Sequence, residues 1–225
     1  MQKKNSMSNQ KRFDELDILK GIGILFMVFD HIGWGNMVHT YIQSFHMPLF
    51  FIVSGFLWTN KYSLFERIKK KMKSLIIPYI CFSIFYLLIC VLFKKISIDM
   101  LKAVLFFPTD MNNMPLAPAL WFLPCMFITD IVYSMLNKAV KNRILLTIVV
   151  LLLGIIGSIY SSYIDFMLPF TLEPMLTALV FWHIGHIIRQ RDNEKLTNNR
   201  LVITIIILVV SVIFSFANKL SLIHI

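Results

Sequence analysis

Long hydrophobic runs separated by short polar stretches fill this chain from about residue 17 to residue 217. Seven of them have the length of a membrane-crossing helix, at about 17–34, 44–59, 74–93, 119–136, 144–160, 173–189 and 201–217. A helix needs roughly 17–25 apolar residues to cross the hydrocarbon core. Several runs are at the short end of that range, so flanking polar residues must snorkel. The pattern predicts an all-α, polytopic transmembrane bundle of about seven spans, read as one domain over 1–225. No internal repeat or low-complexity tract divides it.

The first run, KGIGILFMVFDH from Lys20 to His31, organises the rest. At ~100° per residue, eleven positions bring His31 to almost the same helix face as Lys20, about 16 Å along the axis. Gly23, Ile24 and Met27 fill the face between them. Asp17 precedes the run. Asp30 is adjacent to His31 in sequence and points about 100° away from it. A histidine in an apolar helix must face a protein interior or a wet cavity. A structural role and a chemical role are both open for His31 at this point.

Other runs carry their own polar marks. The second, SFHMPLFFIVSGFLW, places His46 near one end and predicts Pro48 in its first turn, where a missing N–H does little harm. Its Ser54-Gly55 pair predicts a notch for close helix approach. The third carries a kinking Pro78. The segment 94–118 contains the apolar patch LKAVLFF and reads as a half-buried lid. The fourth run opens ALWFLPCMF and carries Asp130. The fifth has no charge and is expected at the lipid-facing periphery. The sixth puts His183 and His186 on one face.

Composition agrees with the runs: 57% of the 225 residues are hydrophobic and mean hydropathy is +0.72. The net charge of +10 does not indicate nucleic acid, because the basic residues gather at the ends of the runs. Alternating the sides places only Lys94, Lys95, Lys102 and Lys219 on one side and the other 18 of the 22 basic residues opposite. That bias predicts a cytoplasmic N-terminus and a plasma-membrane, multi-pass protein. The cluster FERIKKKMK has two readings, a topology determinant beside anionic lipid and a surface for a phosphorylated cofactor. Cys81, Cys90 and Cys125 lack metal or disulfide spacing and read as core fillers. No metal site and no cleavable leader are expected.

Three blocks in order, LDILKGIGILFMVFDH (16–31), FHMPLFFIVSGFLW (45–58) and LWFLPCMF (120–127), resemble the integral-membrane acyltransferase-3 family. The likeness is to its fucose O-acetylase-like, cell-surface glycan O-acetyltransferase branch. ALVFWHIGHIIRQ (178–190) is a weaker echo of the family's sixth span. The family is marked by an arginine, ten residues and a histidine; here Lys20 stands at the arginine position and His31 at the histidine. The resemblance implies an acyl-CoA-dependent O-acetyltransferase that moves acetyl from cytoplasmic acetyl-CoA to a hydroxyl of a cell-surface glycan or its lipid-linked precursor. No cofactor is held, and acyl-CoA is the donor substrate. His31 would be the general base, Lys20 the donor-binding cation, and His46, Asp17, Asp30 and Trp121 substrate-binding or supporting residues. Asp17, Asp30 or Asp130 could orient His31. The resemblance also implies about ten spans, so the chain reads as a truncated member, with Asp130 short of partners.

Three competing readings follow from the same residues. An inactive or regulatory fragment is one. A transporter using intramembrane His and Asp as a proton path is the second, though no inverted repeat supports it. A bis-histidine haem protein is the third, and its two histidine pairs lie at opposite ends of the bundle.

Overall fold

The computed structural model describes residues 14–30, 36–94, 96–110, 119–164 and 166–195, with backbone alone at 14–15, 30, 36–41, 43–45 and 191–195. Every regular element among them is helical. In chain order they are α1 (Asp14–Asp30), α2 (Asn36–Leu57), α3 (Leu64–Lys71), a π turn (Met72–Ile76), α4 (Ile77–Leu92), α5 (Ile98–Leu105), α6 (Phe122–Ala139), α7 (Arg143–Tyr163) and α8 (Leu172–Lys195). Six of the seven hydrophobic runs are therefore helical, and the seventh, 201–217, lies outside the described residues. Among the described residues, two helices, Leu64–Leu92 and Arg143–Tyr163, are long and apolar enough to cross a membrane.

Helix α8 is the hub, packed on α2, α6 and α7. Small residues let it get there. A Cβ on Gly55 of α2 would stand 2.0 Å from the Trp182 carbonyl oxygen, and one on Gly185 of α8 would stand 2.0 Å from that of Ile52. The two backbones touch, as the Ser54-Gly55 notch predicts. On the other side of α8, Gly154 and Gly157 of α7 admit Val180 and Leu176. The core gathers around these crossings, with Ile52, Val53, Tyr133, Val150, Leu179 and Trp182 almost fully buried.

Two helix boundaries differ from the sequence expectation. Helix α2 begins at Asn36, so Pro48 lies well inside it rather than in its first turn. NMVHTYIQ contains no breaker, and the helix continues through the proline. The third span begins at Leu64, because Ser63 and Glu66 form a capping box that starts α3 early. Its irregularity is the π turn before Pro78: the Ile77 N–H reaches back to the Met72 carbonyl, and Pro78 then opens α4. A π turn shifts the register by one residue, so the missing proline N–H is absorbed. The fifth span is peripheral on one side only. Leu146, Val150, Gly154 and Gly157 face the bundle while Ile148, Leu151, Leu152 and Ile155 stay exposed.

The patch LKAVLFF folds as α5, capped by Ser97. Ala103 and Val104 bury against Tyr86 and Cys90 of α4. The Tyr79 hydroxyl donates to the Val104 carbonyl. Helix α5 thus walls an apolar cavity of about 420 Å³ between α4 and α6, which Phe170 also lines.

Candidate functional site

The residues expected to carry chemistry fall into two groups. In α1, Lys20 Nζ and Asp17 Oδ1 form an ion pair at 2.6 Å, one helical turn apart and both partly exposed. Asp17 is therefore next to Lys20. Gly23 is buried, and a Cβ there would meet the Phe50 ring at 3.1 Å and Leu49 at 3.3 Å. His31 lies outside the described residues, as does the Asp30 side chain.

His46 is buried in α2, and its Nδ1–H donates to the Ile42 carbonyl at 2.7 Å. That bond fixes the proton on Nδ1 when the ring is neutral. One turn further on, the Phe50 and Phe51 rings both pack against Phe122, with centroids at 5.6 and 5.2 Å. Trp121, half-buried at the start of α6, meets Phe122 edge-on. The aromatic residues near His46 thus pack on the start of α6 and on one another.

The second group is polar, buried and largely unexpected. Asp130 of α6 is fully buried. Arg67 Nη1 donates to its Oδ1 at 3.0 Å, and Lys71 Nζ stands 3.1 Å from its Oδ2. Arg67 also donates to the Thr59 carbonyl and lies over the Trp58 ring at 5.0 Å. This corrects one expectation: Asp130 does not lack partners, because Arg67 and Lys71 both stand on its carboxylate. The cluster FERIKKKMK is split by helix geometry. Arg67 and Lys71, four apart, turn inward, while Lys69, Lys70 and Lys73 remain exposed. Beside α3, Lys70 donates to the Tyr62 hydroxyl at 3.1 Å, which holds that phenol below its usual range.

One turn along α6, the Tyr133 hydroxyl touches Nδ1 of His183 at 2.8 Å and Nδ1 of His186 at 2.7 Å. A single hydroxyl proton can serve only one ring, so the two rings must differ. The flanking partners decide which. The Gln190 amide NH₂ lies 2.9 Å from His186 Nε2, so that nitrogen accepts and the His186 proton is on Nδ1. Tyr133 then accepts from His186 and donates to His183 Nδ1. His183 carries its proton on Nε2 and donates it to Thr147 Oγ1 at 2.9 Å, whose own hydroxyl donates to the Arg143 carbonyl. The result is a directed chain from Gln190 to Arg143 through two neutral imidazoles of opposite tautomer. Trp58 covers it, meeting the His186 ring edge-on with centroids 4.6 Å apart and donating to Ser134.

The chain lines a polar cavity of about 400 Å³, walled also by Asn137, Lys141 and Arg143. Among the described residues, no three His, Cys, Asp or Glu side chains gather as metal ligands would. Sequence reasoning paired His183 with His186 through their three-residue spacing. It did not find Arg67, Lys71 or Tyr133, whose only signal was inward spacing on helices read as amphipathic or apolar.

Exposed apolar helix faces around an apolar interior that holds a buried polar cluster give the described residues the character of an all-helical membrane bundle. The family model of the acyltransferase-3 domain, described as an acyltransferase domain, matches residues 13–222. The chain belongs to that acyltransferase family. Comparison with curated proteins and with solved structures gave no match in either case.

Proposed function

We propose that the chain is a membrane-bound O-acyltransferase that moves an acyl group, acetyl in the first instance, from cytoplasmic acyl-CoA to a hydroxyl of a cell-surface glycan or its lipid-linked precursor. The observation that carries this reading is the family match over 13–222, which includes both Lys20 and His31. The protein sits in the plasma membrane with about seven spans and a cytoplasmic N-terminus.

In this reading His31 accepts the proton of the acceptor hydroxyl as its oxygen attacks the thioester carbonyl. The thioester C–S bond breaks, the acetyl ester forms, and CoA leaves as the thiol. Lys20 stands at the entrance of α1 with Asp17 holding its ammonium in place. Were the helix to continue ideally to His31, the two would stand roughly 16 Å apart, a path for an extended acyl-CoA arm from its charged end to the reacting carbonyl. His46 and Trp121 support the acceptor from α2 and α6.

The test is transfer of radiolabelled acetyl from acetyl-CoA by the purified chain in proteoliposomes, with a lipid-linked glycan as acceptor. The expected result is alkali-labile label on the glycan that disappears with His31→Ala. Label on the glycan that is stable to alkali, or that persists in His31→Ala, would overturn the reading.

A further inference from the structure

The cavity at the turn between α6 and α7 has a chemical character different from the α1 site. Two cations, Lys141 and Arg143, stand on this turn within three positions of each other, and both line it. The amides of Asn137 and Gln190 line it as well, next to His183 and Thr147, which are already bonded to each other. None of its described lining residues is Asp or Glu. Helix α7, which spans 21 residues, begins at this point and turns the positive end of its dipole toward the cavity. A volume of about 400 Å³ lies within the ordinary range for small-ligand sites. Two cations, two side-chain amides and a helix N-terminus around one void favour an anion with several acceptor oxygens, which is the chemistry of a phosphate.

The surroundings choose the source of that phosphate. Ile144 lines the cavity and is 74% exposed. From it runs a stripe at helical spacing, Ile148, Leu151 and Ile155, each about half exposed. All four lie on one face of α7, a helix apolar and long enough to cross a membrane. A molecule with its phosphate among Lys141, Arg143 and Gln190 therefore meets a continuous apolar track leading away along the helix. A soluble phosphate compound has no use for that track, and a phospholipid does.

We infer that the α6–α7 turn and the facing end of α8 form a binding site for an anionic phospholipid, with its headgroup phosphate in the cavity and an acyl chain along Ile144, Ile148 and Leu151. Basic pockets between membrane helices bind anionic headgroups by the same physics. The inference rests on the family's membrane association and does not depend on His31 being the catalytic base.

The experiment is native mass spectrometry of the full chain in detergent, titrated with phosphatidylglycerol, with phosphatidylcholine, or with soluble glycerol phosphate. Wild type is expected to take one tightly held phosphatidylglycerol and to prefer it clearly over phosphatidylcholine. Lys141→Gln with Arg143→Gln should weaken that adduct about tenfold or more, from roughly a factor of a few per cation. Lys141→Gln alone, in an exposed turn where folding is not at stake, should weaken it severalfold. The control Lys69→Gln with Lys73→Gln removes the same charge from exposed positions on α3 and the π turn, and should change binding less than twofold. Ile148→Asn should weaken the lipid without affecting any glycerol phosphate adduct. Equal loss in the control and the cavity variants would reduce the effect to general charge and overturn the site. Glycerol phosphate binding as tightly as the lipid would make the ligand soluble and overturn the assignment.

Discussion

The ammonium of Lys71 stands 3.1 Å from one carboxylate oxygen of Asp130, and the guanidinium of Arg67 holds the other at 3.0 Å. Two cations on one acid, in the interior of an apolar bundle, tie α3 to α6 and fix the end of the molecule where the π turn begins. The group is asymmetric: Asp130 is wholly buried and Arg67 nearly so, while Lys71 keeps some contact with the surroundings.

Asp130→Asn therefore leaves a buried guanidinium without its counter-charge. Breaking a buried ion pair by removing one partner costs about 3–5 kcal/mol. The midpoint of thermal unfolding in detergent should fall sharply for Asp130→Asn and less for Lys71→Gln, whose charge is partly solvated. Equal midpoints for Asp130→Asn and wild type would show that the pair contributes nothing to stability.

Gly55→Ala and Gly185→Ala each drive a methyl group to 2.0 Å from a backbone oxygen of the opposite helix. Backbone cannot step aside as a flexible side chain can, so each should cost at least the roughly 1–3 kcal/mol typical of overpacking. Gly21→Ala is the contrast: nothing lies within 4 Å of its added carbon. That change should be neutral or stabilising by up to about 1 kcal/mol, since alanine is the better helix former. Unfolding midpoints of the three variants in one detergent settle the order, and a Gly55→Ala protein as stable as Gly21→Ala would contradict the close crossing.

The chain through Tyr133 predicts two different histidine tautomers on one helix face. In nitrogen NMR of histidine-labelled protein in lipid, His186 should show its proton on Nδ1 and His183 on Nε2. Tyr133→Phe removes both central bonds and leaves a buried imidazole N–H without its acceptor, at a cost of about 1–3 kcal/mol. Finding both rings as the same tautomer in wild type would break the assigned direction of the chain.

For the transfer reaction, His31→Ala should lower kcat by about 10²–10⁴, the usual contribution of a positioned general base. Lys20→Ala should instead raise the apparent KM for acetyl-CoA more than it lowers kcat, and it also frees Asp17 from its ion pair. Lys20→Arg keeps the charge and should be mild. The measurement is acetyl transfer with acetyl-CoA varied. Unchanged kcat in His31→Ala would return that histidine to a structural role, and an unchanged acetyl-CoA dependence in Lys20→Ala would leave Lys20 as a membrane anchor.

The sequence by itself determined that the apolar runs among the described residues are helical. Hydrophobic stretches of span length have no other way to satisfy their backbone in lipid, so periodicity and length sufficed for six helices. It also located the Ser54-Gly55 notch, because a missing side chain is visible in the sequence. The spacing of His183 and His186 likewise placed both on one face, a purely local property of the helix.

Tertiary structure decided what those helices face. Asp130 looked like an acid short of partners because its partners, Arg67 and Lys71, lie some sixty residues earlier, in a stretch whose charge reads equally well as a membrane-surface cluster. Pro48 and Pro78 were read by position in a run. The capping box at Ser63 and the early start of α2 moved the helix boundaries, and with them what each proline interrupts. The bond from Tyr133 to two imidazoles joins residues about fifty apart. No local pattern encodes that distance; it exists because α6 packs on α8, and Trp58 of the α2 end lies against both Tyr133 and His186.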